Sequence, residues 1–286
     1  MVESESHMVV SADTPLAAIT GANMHVCHLN SVAGRDIKDC AELLMAAQAR
    51  GLPLTVEAYP YGAFATAIGA DFLRGPHWKE TFGVKDASAM EYNGKPLTQA
   101  EIDERQAKSP GDPVILHFLG DEDDPAMIEM LDQSVLYPGA SIGSDAMPWA
   151  DSTGKILPGD IWPLPEGAFA HPRSAGTYSR FISRWVRQRK KISLLEALRK
   201  TSLIPAKILE PAVPQMKTKG RIQVGADADV VVFDLNTITD KATFTDPANL
   251  SVGFRHVVVN GTPIIEEGNR LGDARPGKPV RRTTKR

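Results

Sequence analysis

The sequence predicts an α/β fold with a parallel sheet, followed by a small all-β part. Two observations carry this expectation. Ala22–Leu29 and Pro53–Ala58 are short apolar runs, and Asp36–Arg50 between them repeats apolar residues at helical spacing. A strand, a helix and a strand at this spacing form a βαβ unit, whose strands run parallel. After Pro211 the pattern changes to short β-rich runs separated by Gly, Asp and Asn. The 286 residues suffice for one large domain, or for one domain and a smaller partner.

Met8–Thr20 fits either a helix or a strand and turn. Ala22–Leu29 ends at Asn30-Ser31, as suits a buried strand whose C-terminal end reaches a polar site. Asp36–Arg50 places Ile37, Cys40, Ala41, Leu44 and Ala47 on one helical face, with Gly51 just past its end. Pro53–Ala58 runs straight into Tyr59-Pro60-Tyr61-Gly62. Residues 69–112 are polar and too long for a plain loop, so they read as an insertion with helices of its own. Val114–Phe118 is a strand candidate, Pro125–Ser134 a helix, and Ala140–Gly143 a strand that ends in Ser144-Asp145. Met147–Arg173 is rich in Gly and Pro and reads as a long surface loop. Thr177–Arg189 and Ser193–Leu209 are helical. Ser193 and Glu196 make a capping box, and Ile192 is placed to staple onto Ala197. Gly220–Val224, Asp229–Phe233, Arg255–Asn260 and Pro263–Glu266 read as strands, with an Asn260-Gly261 hairpin turn. The chain therefore divides into residues 1–212 and 213–286.

Composition excludes several classes. The apolar fraction of 42% suits a packed core. A net charge of −3 leaves no basic footprint for nucleic acid or a membrane surface. Only the tail Arg275–Arg286 is basic, and it reads as a solvated terminus. No apolar run has the length of a bilayer-spanning helix. The N-terminus is polar and acidic without a secretory pattern, and two cysteines make no disulfide framework. Both features suggest a cytoplasmic protein.

Candidate site residues stand where strands end, which is where parallel α/β sheets build their sites. His28 is a candidate metal ligand or general base, and its plainer reading is a structural histidine. His25, three residues earlier, is expected on the other face and in a structural role. Asp145 suits a metal ligand or proton acceptor, and equally a helix cap. Tyr59 and Tyr61 follow a strand end, where a hydroxyl orients a carbonyl or simply packs beneath a loop. Arg173 in His171-Pro172-Arg173 is either a carboxylate-binding side chain or an exposed loop arginine. Cys27 and Cys40 are expected to be buried, and His117 is a weaker strand-end candidate.

These motifs together resemble the amidohydrolase superfamily, most closely its N-acyl-D-amino-acid deacylase (D-aminoacylase) branch. The resemblance rests on His25-Val26-Cys27-His28-Leu29-Asn30-Ser31, Glu57-Ala58-Tyr59-Pro60-Tyr61, Gly143-Ser144-Asp145, His171-Pro172-Arg173 with Gly176-Thr177-Tyr178-Ser179-Arg180, and the C-terminal set Gly225-Ala226-Asp227-Ala228-Asp229 through Asp234. It covers nearly the whole chain except residues 69–112. It implies a (β/α)8 barrel, of which this chain holds about the last three strands, plus a small β-sandwich. It implies one or two zinc ions, with His28 and Asp145 as metal ligands. Asp145 would also move the proton, and Tyr61 would orient the scissile carbonyl. Tyr61, Arg173 and Asn30 would bind a small N-acyl amino acid substrate.

The sequence departs from the family pattern in ways that matter. It contains no His-x-His, no bridging ligand ahead of the His28 motif and no further histidine in the right context, since His7 alone precedes His25. Asn30 stands where related members often carry a lysine. The reading is therefore the C-terminal portion of a metal-dependent deacylase, with weak zinc binding and little activity on its own. The alternatives are a scaffold protein that has lost its metal half, or one subunit of a split enzyme. A half barrel is also expected to self-associate through its open edges.

Overall fold

The computed structural model describes residues 18–282, apart from Asp121, Asp160 and Trp162. His7, most of the 8–20 segment and the last four residues of the basic tail lie outside the described residues. Strand β1 (Met24–Val26) leads through α1 (Leu29–Ala33) to α2 (Ile37–Ala49) and strand β2 (Leu54–Ala58). Helix α2 buries the expected stripe of Ile37, Cys40, Ala41, Leu44 and Ala47. Strand β2 alternates, with Leu54, Val56 and Ala58 buried and Thr55 and Glu57 half-buried. The two strands are parallel, with Met24 opposite Leu54 and Val26 opposite Val56.

The chain then leaves this sheet. Strands β3 (Phe64–Ala67), β4 (Met90–Tyr92), β5 (Lys95–Pro96) and β6 (Pro113–Leu116) form an antiparallel sheet in the order β3-β6-β4-β5. Helices α3 (Trp78–Thr81) and α4 (Gln99–Lys108) belong to the same insertion. Thr98 and Glu101 close a capping box at the start of α4. The inserted unit starts at Phe64 rather than at residue 69, and it takes in the Val114–Phe118 run. Apolarity marks that run as a strand, but strand period says nothing about which sheet it joins. Helix α5 (Pro125–Val135), capped by Asp124, returns the chain to β7 (Ser141–Ile142). β7 pairs parallel with β2, completing a three-stranded sheet in the order β1-β2-β7.

Helix α6 (Arg173–Phe181) starts four residues before its expected Thr177 and continues as a π-helical stretch over Ile182–Gln188. The Gly and Pro content ahead of Thr177 suggested a loop, but Pro172 sits at the N-cap, where proline fits. Helix α7 (Leu194–Leu198) runs through a π-helical turn into α8 (Ile204–Leu209), with the Ser193 hydroxyl accepting from the Glu196 N–H at 3.2 Å. Two polar ties hold these helices to the parallel layer. The indole of Trp185 donates to Asp132 at 2.6 Å, and Arg189 grips both oxygens of the same carboxylate. Lys200 is 2% exposed and donates to the carbonyls of Tyr137 at 2.5 Å and Ala140 at 3.1 Å, just ahead of β7.

The C-terminal part is a single antiparallel sheet of β8 (Val230–Phe233), β9 (Phe254–Val259), β10 (Thr262–Glu266) and β11 (Asn269–Arg270), in the order β11-β10-β9-β8. The Asn260-Gly261 turn joins β9 to β10 as expected. Gly220–Val224 is not a strand, and Ile222 is 93% exposed. The sandwich expectation is met by one sheet alone among the described residues, and its Val231 and Val232 are about half exposed. No helix among the described residues is long and apolar enough to cross a membrane.

Burial pushes the Lys200 ammonium down to about 8 from its ordinary 10.5, with Glu196 opposing the shift. The unfolded chain therefore holds more protons than the folded one between those two values, and the stability linked to Lys200 rises with pH across that window. Lys200→Met removes this rise. Urea midpoints of both proteins from about pH 8 to about pH 10 check it, and parallel trends would mean that Lys200 titrates normally.

Candidate functional site

The site is assembled where β1, β2 and β7 end. His28 follows β1 in a left-handed conformation (φ 38°, ψ 57°) that turns the chain into α1. Its Nδ1 lies 3.0 Å from the Ser31 hydroxyl. Asp145, three residues past β7, is also left-handed, with φ 47°. Non-glycine residues adopt this region at a cost, and they concentrate where surrounding structure dictates the geometry. His28 and Asp145 line one cavity of about 400 Å3 with Ser31 and Val32 of α1. Phe64, Phe72 and Phe82 of the insertion form its opposite wall. Those three rings pack on one another at centroid distances of 5.1 to 6.1 Å.

Arg173 is not an exposed loop arginine. It begins α6, is 2% exposed, and places Nη2 2.8 Å from Oδ2 of Asp145. Its guanidinium lies 4.6 Å over the ring of Tyr59. Its Nε and Nη1 are buried without a hydrogen-bond partner. His171, fully buried, accepts the Arg173 backbone N–H on Nδ1 at 3.0 Å, so Nε2 carries the proton that it donates to the Ala63 carbonyl at 3.1 Å. Burial and the neighbouring Arg173 charge hold this imidazole neutral, well below the usual histidine range.

Tyr61 and Asn30 occupy different places from those the resemblance implies. The N–H of Tyr61 donates to the carbonyl of Tyr59 at 3.0 Å, an i to i+2 turn about Pro60 that ends strand alternation. The Tyr59 ring consequently meets Arg173, while the Tyr61 ring meets Arg180 at 4.4 Å and His171 at 5.2 Å. Tyr61 is 1% exposed and does not line the cavity of His28 and Asp145. A Cβ on Gly176 would fall 2.7 Å from the Tyr61 hydroxyl, so this hydroxyl lies against α6. Tyr59 is the tyrosine that shares the surroundings of Asp145. Burial pushes its phenol up to about 12, with Arg173 and Ser31 opposing. The fully buried Asn30 spends its side-chain amide on backbone, donating to the Tyr61 carbonyl at 3.0 Å and accepting from the Tyr59 N–H at 3.3 Å. It shapes the Tyr59–Tyr61 turn rather than presenting a group to a ligand.

The remaining candidates are scattered. Cys40 is buried as expected, but Cys27 is exposed. Strand β1 ends at the buried Val26, so alternation does not extend to Cys27. His25 lies half-buried beside Glu57. His117 pairs with Glu91 at 3.2 Å inside the insertion and stacks on Phe244. Sequence reasoning missed Ser31 and the three phenylalanines of the cavity. The apolarity of the phenylalanines reads as ordinary core, Ser31 reads as a helix-start serine, and only the fold carries the insertion over to the strand ends.

A catalytic zinc normally has three protein ligands and an open position. Among the described residues, the cavity offers His28 and Asp145 as donors, and Asp145 already shares one oxygen with Arg173. Two donors do not complete that site.

Residues 7–265 match the amidohydrolase family. An N-acyl-D-glutamate deacylase of Alcaligenes xylosoxydans xylosoxydans is 39% identical over 119 residues, which make up 42% of this chain and 23% of the relative. A D-aminoacylase of the same organism is 28% identical over 241 residues, 80% of this chain and 42% of the relative. The structure of an N-acyl-D-glutamate deacylase from Bordetella bronchiseptica, complexed with zinc and a phosphonate inhibitor, superposes with a TM-score of 0.67 at 25% identity. That superposition covers 96% of this chain and 53% of the other. The chain thus spans less than half the length of these curated relatives, and about half of that structure.

The placement of Tyr61 has a direct check. Gly176→Ala should destabilise the fold by about 1–3 kcal/mol through overpacking, and Tyr61→Phe in the same chain should restore part of that loss. Thermal or urea unfolding of the double-mutant set measures it, and additive effects would show that the two groups do not touch. Asn30→Ala strips partners from two buried backbone groups and should cost about 1–3 kcal/mol for each group left unmade. A neutral result by the same measurement would return Asn30 to the list of ligand-facing residues.

Proposed function

The chain belongs to the amidohydrolase family, and from that premise we propose that it forms one half of a metal-dependent hydrolase cleaving the amide bond of N-acyl-D-amino acids. The observation that carries this reading is the ion pair of Asp145 with the buried Arg173 at the edge of the cavity shared with His28. The relatives named above support the substrate class. The consecutive parallel order β1-β2-β7 supports reading these strands as the last three of a (β/α)8 barrel, and the C-terminal sheet as one layer of a sandwich.

Each residue of the chain then has a role. Arg173 orients Asp145 through the 2.8 Å contact. Asp145 accepts a proton from the water whose oxygen attacks the acyl carbon, and returns it to the amine nitrogen as the C–N bond breaks. Arg173 is a positioning residue rather than a carboxylate-binding one, because its Nε and Nη1 are buried and it does not line the cavity of His28 and Asp145. Tyr59, rather than Tyr61, is the phenol placed beside this machinery. The Phe64, Phe72 and Phe82 wall suits an apolar group on the substrate. Zinc is the metal proposed, with His28 and Asp145 as this chain's contribution, and the shortage of donors leaves the chain weakly active alone.

Release of free amino acid from N-acetyl-D-amino acids tests this. The chain with added zinc should show little turnover. Mixed with a separately produced N-terminal half of an N-acyl-D-glutamate deacylase, it should show zinc-dependent turnover that falls at least about 100-fold in Asp145→Asn. Efficient, Asp145-dependent turnover by the chain alone would show that its donors suffice. Turnover of the mixture that ignores Asp145→Asn would remove Asp145 from the mechanism.

A further inference from the structure

Beside the cavity, the ends of β1 and β2 bring three other donors together. The imidazole of His25, the thiol of Cys27 and the carboxylate of Glu57 each place a ligand atom within 4.8 Å of the others. None of the three lines the cavity of His28 and Asp145. The parallel register produces the cluster, because it sets His25 across from Thr55 and leaves Glu57 two residues further along the same face. Cys27 follows where β1 ends.

We propose that His25, Cys27 and Glu57 form a binding site for a divalent transition-metal ion, separate from the His28 and Asp145 pair. Three features beyond proximity support it. The Thr55 hydroxyl lies 3.3 Å from the Met24 carbonyl and 2.8 Å from Nδ1 of His25. When this hydroxyl donates to the carbonyl it accepts from Nδ1–H, the tautomer that puts the lone pair on Nε2. Nε2 lies 3.6 Å from Oε2 of Glu57, an attractive pair whose spacing a shared cation can bridge in place of a proton. The Glu57 carboxylate also lies over the bare backbone of Gly143, where an added Cβ would come 2.9 Å from Oε2 and push the side chain aside. Finally, the side chains of His25 and Glu57 are 30% and 25% exposed and Cys27 is exposed, so an ion has a route in.

The donor chemistry narrows the ion. Calcium and magnesium take oxygen ligands, whereas one imidazole nitrogen, one thiolate sulfur and one carboxylate oxygen suit zinc or cobalt(II). Three protein ligands with an open fourth position match a tetrahedral zinc centre reachable from solvent.

Titration of the 286-residue chain with cobalt(II) tests the assignment. The expected result is a near-ultraviolet thiolate-to-cobalt charge-transfer band that saturates at one equivalent. Cys27→Ser should abolish the band while Cys40→Ser, which changes only a buried helix residue, keeps it. Thr55→Val, which removes the partner of His25 Nδ1, should weaken binding about 10-fold to 100-fold. His28→Ala and Asp145→Asn should leave the band intact, which separates this site from the proposed hydrolytic one. No band, a band that survives Cys27→Ser, or one lost with His28→Ala or Asp145→Asn would overturn the proposal. Where Cys27→Ser fails to fold by circular dichroism, His25→Gln provides the same test, with loss of saturable binding expected and unchanged binding overturning it.

Discussion

A guanidinium with almost no access to water holds the strand ends together. Arg173 is 2% exposed, and a charge so placed is tolerable only with a partner. Asp145 supplies the opposite charge at 2.8 Å, and the face of Tyr59 covers the cation from another side. One side chain from the start of α6 therefore fixes the residues that follow β7 and β2. The left-handed backbone of Asp145 costs about 1 kcal/mol or more, a strain the ion pair helps to hold in place. His171 completes the arrangement from below, neutral because it lies beside the same cation in a dry environment.

The other strand ends are held by neutral groups. Asn30 crosses from α1 to the turn after β2 and satisfies a backbone donor and a backbone acceptor there. That turn separates the two tyrosines, so Tyr59 faces Arg173 and Tyr61 faces Arg180. Arg180 is in turn bound by Glu122 and by Asp240, placing a second buried cation two turns further along the same helix. The insertion contributes no charge to the cavity wall. Phe64 is carried there by β3, which five residues separate from β2, and Phe72 and Phe82 by the short helical turns that follow. The titratable groups His28 and Asp145 thus reach the cavity from the parallel layer, and its aromatic groups from the insertion.

Several consequences meet in the metal chemistry. The family resemblance directs attention to His28 and Asp145, but donor count and the Arg173 contact argue that these two hold zinc weakly without further ligands. The cluster of His25, Cys27 and Glu57 is the denser set of donors, although strand alternation alone consigned His25 to a structural role. The difference between the two lies in the neighbours. Asp145 has its charge satisfied by a buried arginine, whereas the Glu57 carboxylate meets the His25 imidazole at 3.6 Å, with the thiol of Cys27 nearby.

The sequence by itself determined the local elements. Helix α2, strands β1 and β2, the capped start of α7 and the Asn260-Gly261 hairpin all follow from spacing, caps and turn residues, which act within a few neighbours. The strand-end positions of His28 and Asp145 were legible for the same reason. Tertiary structure decided the rest. Which sheet Val114–Leu116 joins depends on a partner strand far away in the chain, and Gly220–Val224, expected as a strand, joins no sheet and leaves Ile222 and Val224 exposed. The burial of Arg173 depends on Asp145 and Tyr59, neither of which is near it in sequence. The role of Asn30 depends on a turn about 30 residues on. Side-chain function here is set by long-range partners, and a linear pattern encodes residue type and period but not which distant group a side chain will meet.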